Sequence, residues 1–281
     1  MVKGFGINVI FEKIKELTKQ VLPMKNRKRN RYSALLLLMP LLLIQCKKLN
    51  TNKTDMASEN IKYAYKVKKS TESHDINSKW DKEIWEKTKS IRLNNFMGDS
   101  PSHFPETNVK LRYDRDNIYV IFNVNDRYIK AVEKETHGRV WEDSCVEFFF
   151  TPGPDIERGY FNFEANCKGV FLFKYHLGNS ETNGTVSLED CKKITISPSL
   201  SRNVEQESAE PENWTLEYNI PISILSKYMK VDQPKPGASW RANFYKCADK
   251  SSHPHWLTWA PIDYPEPQFH LPEFFGELNF E

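Results

Sequence analysis

From Val109 to its end the chain is cut by turn residues into short apolar runs, and helical periodicity is scarce. This pattern constrains the fold most. A run too short for a helix buries its side chains by pairing with other runs in a sheet. Runs at 109–113 and 118–124 flank the turn Asp114-Arg115-Asp116-Asn117. Runs at 146–150 and 160–166 flank Thr151-Pro152-Gly153-Pro154-Asp155. Further strands are predicted at 61–67, 170–175, 194–198, 214–220, 240–247, 256–259 and 277–280. Residues 221–228 read as a short helix with Pro in its first turn. The predicted fold is all-β: an antiparallel, jelly-roll-like β-sandwich with short helices, one domain over residues 61–281.

The residues ahead of this domain have another character. Lys25 to Arg31 is a dense basic run, 33–44 is apolar, and Leu43-Ile44-Gln45-Cys46 follows. Basic, apolar and cleavage regions in that order make a secretory signal. The apolar run falls short of the roughly 20 residues that span a bilayer. Residues 1–46 are therefore expected to be a leader: 24–45 a lipoprotein signal peptide, Cys46 the lipidated residue, and 1–23 a gene-model extension ahead of a native start at Met24. Residues 47–60, rich in Asn, Lys and Thr, read as a flexible tether. The expected location is exported and lipid-anchored to a bacterial membrane, on its periplasmic or cell-surface face.

The formal charge of +3 belongs to the leader. Residues 1–46 carry nine Lys and Arg against two Asp and Glu, which leaves the remainder 31 against 35, a net of −4. A mildly acidic domain with no basic stripe argues against nucleic acid as a partner. Cys145, Cys167, Cys191 and Cys247 show no C-x-x-C spacing, which argues against a zinc site. An exported domain could oxidise them, with three full pairings open.

Chemistry concentrates in two stretches. Trp141-Glu142-Asp143-Ser144-Cys145-Val146-Glu147 places an aromatic and three acids ahead of an apolar strand, and Phe269-His270-Leu271-Pro272-Glu273-Phe274-Phe275-Gly276 comes shortly before the chain ends. Flat rings beside carboxylates suit a sugar. A ring stacks on the C–H face of a pyranose, and carboxylates accept from its hydroxyls. Along 160–166, Asn162, Glu164 and Asn166 share one strand face, and Phe161, Phe163 and Ala165 the other. Glu147 opposes Val146 and Phe148 in the same way. The predicted ligand set is Trp141, Glu147, Asn162, Glu164, Asn166 and Phe269, holding an oligo- or polysaccharide. Trp256 and Trp259 are rivals for stacking, but their strand-like setting assigns them to the core. His253 and His255 flank Pro254 and are expected at the surface.

These motifs resemble the family 9 carbohydrate-binding modules. The stretch 141–149 is similar to their Trp-Glu-x-Asp-Ser-Val-Glu strand, with one residue fewer between the Glu and the Val-Glu pair. Asp75-Ile76-Asn77-Ser78-Lys79-Trp80-Asp81-Lys82-Glu83-Ile84-Trp85 resembles their opening, and Phe274-Phe275-Gly276-Glu277-Leu278 their closing strand. The resemblance spans roughly residues 60–281 and implies a non-catalytic binder serving polysaccharide breakdown. It also implies a sugar held between two aromatic rings, here Trp141 and Phe269, with Glu147 in contact. Glu164 stands where such modules commonly carry Arg. Structural calcium is implied too, and Asp114, Asp116, Asp126 and Asp143 could offer oxygens. No other cofactor is expected. The alternative is a glycoside hydrolase with Glu147 and Glu164 as its carboxylate pair.

Overall fold

In the strand Gly159–Asn166, the apolar side chains Phe161, Phe163 and Ala165 join one large core, and the polar ones between them face away from it. The same alternation, repeated across neighbouring strands, sets the layers of the molecule. The computed structural model describes residues 63–71, 74–178 and 183–281. The expected leader, Cys46 and the tether at 47–60 lie outside the described residues.

The first strands are β1 (Ala64–Lys69), β2 (Ile91–Arg92), β3 (Asn95–Phe96), β4 (Glu106–Tyr113), β5 (Asn117–Asp126), β6 (Cys145–Thr151) and β7 (Gly159–Asn166). They are followed by β8 (Phe171–Leu177), β9 (Asn183–Thr185), β10 (Ile196–Pro198), β11 (Glu212–Pro221), β12 (Ser239–Cys247), β13 (Trp256–Thr258) and β14 (Gly276–Phe280). Among the described residues α-helices are few and short: α1 (Glu83–Glu86), α2 (Leu188–Cys191) and α3 (Ile222–Tyr228). Strands and helix α3 fall within a few residues of their predicted places. The short β2, β3 and β9 and the helices α1 and α2 were not predicted, because so few residues carry no readable period.

The main path of the sheet runs β10-β11-β5-β4-β1-β14-β12-β6-β7-β8-β9. It is mixed, which corrects the wholly antiparallel expectation. Strand β1 runs parallel to β14 over Ala64 to Val67 and parallel to β4 over Lys68 and Lys69. It passes from one layer to the other and joins them. The sheet curls so that its two halves face each other, consistent with a β-sandwich. Phe163 of β7 meets Tyr218 of β11 with ring centroids 4.4 Å apart, and Phe122 of β5 meets Phe244 of β12 at 6.2 Å. Each such aromatic, removed from water, contributes roughly 1.5–3 kcal/mol of apolar burial.

Both outer faces are also covered. On the β11-β5-β4 side, Trp85 of α1 packs with Tyr119 and Ile121. Its indole N–H donates to Glu217 Oε1 at 2.8 Å, and Glu217 Oε2 accepts from the backbone N–H groups of Asn77 and Ser78. The predicted opening motif is thus a structural clamp. On the β12-β6-β7-β8 side, Cys145, Phe149, Tyr160, Tyr245 and Cys247 form a second cluster under Phe269 and Phe275.

Candidate functional site

That second outer face carries the site. Strands β6 and β7 lie antiparallel with Glu147 directly opposite Glu164 and Phe149 opposite Asn162. These side chains belong to the non-core set of each strand, so they rise together on one floor. On β8 the core residues Phe171 and Phe173 alternate with Leu172, Lys174 and His176, which extend the floor sideways. The segment after β13 folds over the opposite margin. Asn243 holds it by donating to Ala260 O at 3.0 Å, and Phe269 stacks on Tyr245 at 4.1 Å with planes 8° apart. Between floor and segment lies a cavity of about 280 Å³, near the lower end of small-ligand sites, about 300 Å³.

Five of the six predicted residues, Trp141, Glu147, Asn162, Glu164 and Phe269, line this cavity. Asn166 does not. It shares the face, but its amide donates to Asp143 Oδ2 at 2.9 Å and to Glu133 O at 3.2 Å. Its oxygen accepts from the N–H groups of Lys168 and Val170. Asn166 therefore closes the β7–β8 turn, a use hidden in sequence because Asp143 and Glu133 are distant along the chain.

Trp256 corrects the core assignment. It is half-buried, lines the cavity, and donates its indole N–H to Asp249 Oδ1 at 2.8 Å. Trp259 is buried in the main core as expected. Asp249 is itself fixed from below, its N–H donating to Trp141 O at 3.1 Å. The cavity is thus walled by Trp141, Trp256 and Phe269, with Phe149 in the floor. The sequence names Trp256 as a rival for stacking but assigns it to the core, it gives no role to His270 within its motif, and it leaves Asp249, Lys174 and His176 unmarked. For Lys174 and His176 the period-two pattern of β8 was a usable signal.

Hydrogen bonds order the floor. His176 Nε2 lies 2.9 Å from Asn162 Oδ1, and Asn162 Nδ2 donates to Glu164 Oε1 at 2.7 Å. With the Asn162 amide turned this way, His176 is the donor in its pair. Glu147 Oε1 accepts from the Cys247 thiol at 3.0 Å, and Glu147 Oε2 has no protein partner among the described residues. Glu147 is 2% exposed and Glu164 4%. Loss of solvation is the main cause that pushes the Glu147 carboxyl well above the usual range, with Cys247 and Glu164 adding to it. Glu164 is raised to about 7, again first by burial. Asp249 is raised too, by burial above all. Glu164 therefore takes up or shares a proton near neutrality, and burial shifts Glu147 and Asp249 in the same direction. The site offers both donors and acceptors to hydroxyl groups.

Cysteine and aspartate assignments are also decided by place. Among the described residues the four cysteines, Cys145, Cys167, Cys191 and Cys247, are buried and free. Cys145 stands opposite Cys247 in the β6–β12 register, and their sulfurs with a Glu147 oxygen lie within 4.8 Å of one another. The four aspartates suggested for calcium form no common donor set. Asp114 caps its own turn and accepts from Tyr119, and the exposed Asp116 pairs with Arg115. Asp143 accepts from the N–H groups of Val132 and Glu133, and Asp126 pairs with His103 and Lys246. His255, expected at the surface, is buried, its Nε2 at 2.8 Å from Lys246 Nζ.

The sequence model of the family described as Carbohydrate-binding family 9 matches residues 76–280. A candidate carbohydrate-binding protein from Bacteroides uniformis is 31% identical, with a TM-score of 0.70 over 78% of this chain and 99% of that one. A family 9 module from Caldicellulosiruptor kristjanssonii in complex with cellotriose is 14% identical, with a TM-score of 0.53 over 78% of this chain and 93% of its own. A structure of a family 9 module from the same organism with glucose gives 14% identity and a TM-score of 0.51, over 77% and 96% of the two chains. Among curated protein sequences none matches.

Proposed function

This chain belongs to carbohydrate-binding family 9, and we propose that it binds a saccharide in the cavity above Glu147 and Glu164 without chemically changing it. The observation that carries the reading is the convergence of aromatic walls and carboxyls on one cavity. Trp141, Trp256 and Phe269 offer faces to the apolar side of a sugar ring, and Glu164 and Asp249 accept from its hydroxyls. The His176–Asn162–Glu164 chain fixes the direction of the acceptor. The related modules in complex with cellotriose and glucose make short gluco-oligosaccharides the first ligands to try.

The family match favours a binder over the hydrolase alternative, in which Glu147 and Glu164, cross-strand neighbours on one floor, would have to flank a scissile bond. The binder is further proposed to be exported, anchored through Cys46, and to serve polysaccharide breakdown at the cell envelope. The basic run ahead of the apolar run and Cys46 support this.

Titration calorimetry with cellotriose tests the binding reading. Trp141→Ala should lose about 1–2 kcal/mol of binding free energy, close to tenfold in affinity, with an unchanged far-ultraviolet spectrum. Unaltered affinity in a folded variant would remove Trp141 from the site. Metabolic labelling with a fatty acid that persists in Cys46→Ser would refute the anchor.

A further inference from the structure

Elsewhere the fold neutralises most of its buried carboxylates with its own cations, and it satisfies both oxygens of the other, Asp143, with the N–H groups of Val132 and Glu133 and the Asn166 amide. Asp126 has Lys246 at 3.4 Å, Glu217 has Lys82 at 2.5 Å, and Asp190 has Lys193 at 2.8 Å. In the cavity this practice stops. Glu147, Glu164 and Asp249 all line it, and among the described residues none of the three forms an ion pair. Lys174 is the single Lys or Arg among the lining residues. Glu147 and Glu164 are direct cross-strand partners, an arrangement that is unfavourable when both are charged. One oxygen of Glu147 is buried with no hydrogen-bond partner. The aromatic walls would add attraction for a positive charge held close to their faces.

From this local excess of carboxyl groups we infer that the preferred ligand is a cationic amino sugar, a hexosamine with a free protonated amine. The inference rests on the sugar-binding reading and narrows it. The ring is held by the aromatic walls, as for a neutral sugar. The ammonium is placed against Glu164 and Asp249, and it supplies the positive charge that the protein has not supplied. Burial agrees with this, because it keeps all three carboxyls above their ordinary range until a cation arrives. N-acetylation removes the charge and keeps the ring, so the acetylated sugar is the sharpest control.

The experiment is calorimetry of the full chain with glucosamine, N-acetylglucosamine, glucose and cellotriose at pH 7 and fixed ionic strength. The expected result is glucosamine binding at least tenfold tighter than N-acetylglucosamine and glucose. In Glu164→Gln, checked for folding by near-ultraviolet circular dichroism, the ratio of glucosamine to glucose affinity should fall at least fivefold. Glucose or N-acetylglucosamine binding as tightly as glucosamine to the unaltered protein overturns the inference and leaves the sugar-binding reading intact. That outcome is decisive even if the variant does not fold. A failure of all four sugars to bind counts against the sugar-binding reading itself, and the inference falls with it.

Discussion

Glu164 couples the ligand site to stability. Its carboxyl ionises at about 7 in the folded protein against an ordinary value of 4.5, chiefly because burial penalises the charge. A raised value means that the folded chain keeps a proton which the unfolded chain has released. The associated stability is fully present below the ordinary value and is lost as pH rises through about 7. Glu164 itself should remove on the order of 2–3 kcal/mol of stability between pH 5 and pH 8, while the buried His255 and His270, whose values are lowered by burial, act in the opposite direction, so urea unfolding at the two pH values reads the Glu164 effect as the difference between the unaltered protein and Glu164→Gln. Glu164→Gln should lose clearly less, with Glu147 still contributing in the same direction. An equal loss in both proteins would show that Glu164 is ionised at its ordinary value. Trp256, the first residue of β13, and Trp259, just after it, offer a second contrast at this scale. Trp256→Ala should weaken sugar binding about as much as Trp141→Ala and leave stability within about 1 kcal/mol, since Trp256 is half-buried. Trp259→Ala empties a core position and should cost about 3–5 kcal/mol of stability. Equal effects of the two substitutions on stability would contradict the assignment.

At the level of strands, the β6–β12 pairing has a consequence for thiol chemistry. Cys145 and Cys247 face each other across the register on the site side, whereas Cys167 joins the main core and Cys191 sits in α2. Of the three full pairings open from sequence, one joins Cys145 to Cys247, which already face each other in register, and the other two would join cysteines of the outer cluster to cysteines of the main core. Treatment with a disulfide-exchange reagent should therefore link Cys145 to Cys247 and leave Cys167 and Cys191 as thiols, as read by non-reducing peptide mapping. The bond would also take the thiol donor from Glu147 Oε1, so sugar affinity should change on oxidation and recover on reduction. Any other linkage in folded protein would contradict the register. This scale also explains what the sequence could show. Period-two alternation in β6 and β7 placed Glu147, Asn162 and Glu164 on one face, and the structure keeps them there. Asp249 enters from the turn after β12 and Trp256 opens β13, a strand of three residues too short to carry a readable period, and the bond between Trp141 O and the Asp249 N–H fixes the approach of Asp249. The parallel placement of β1 was invisible for a related reason, since pairing direction between the two ends of a chain leaves no local mark.

Across the whole molecule, ligand site and structural clamp lie on opposite outer faces, separated by two sheet layers and the main core. The clamp is centred on Glu217, fully buried, which accepts from the Trp85 indole and from the N–H groups of Asn77 and Ser78, and pairs with Lys82 at 2.5 Å. Removing the carboxylate leaves three donors without an acceptor and a cation, largely removed from solvent, without its partner. Such losses cost about 1–3 kcal/mol per stranded group when nothing replaces them, and breaking a buried pair alone costs about 3–5 kcal/mol. Glu217→Ala should therefore destabilise the protein by several kcal/mol in urea unfolding, with residues 74–88 losing hydrogen-exchange protection first. Its sugar affinity, measured at low temperature where the chain is still folded, should stay within about twofold, because no cavity residue touches the clamp. A large loss of affinity in folded Glu217→Ala would mean that the two faces are coupled through the sandwich, and that the clamp helps to shape the site as well as to hold the fold.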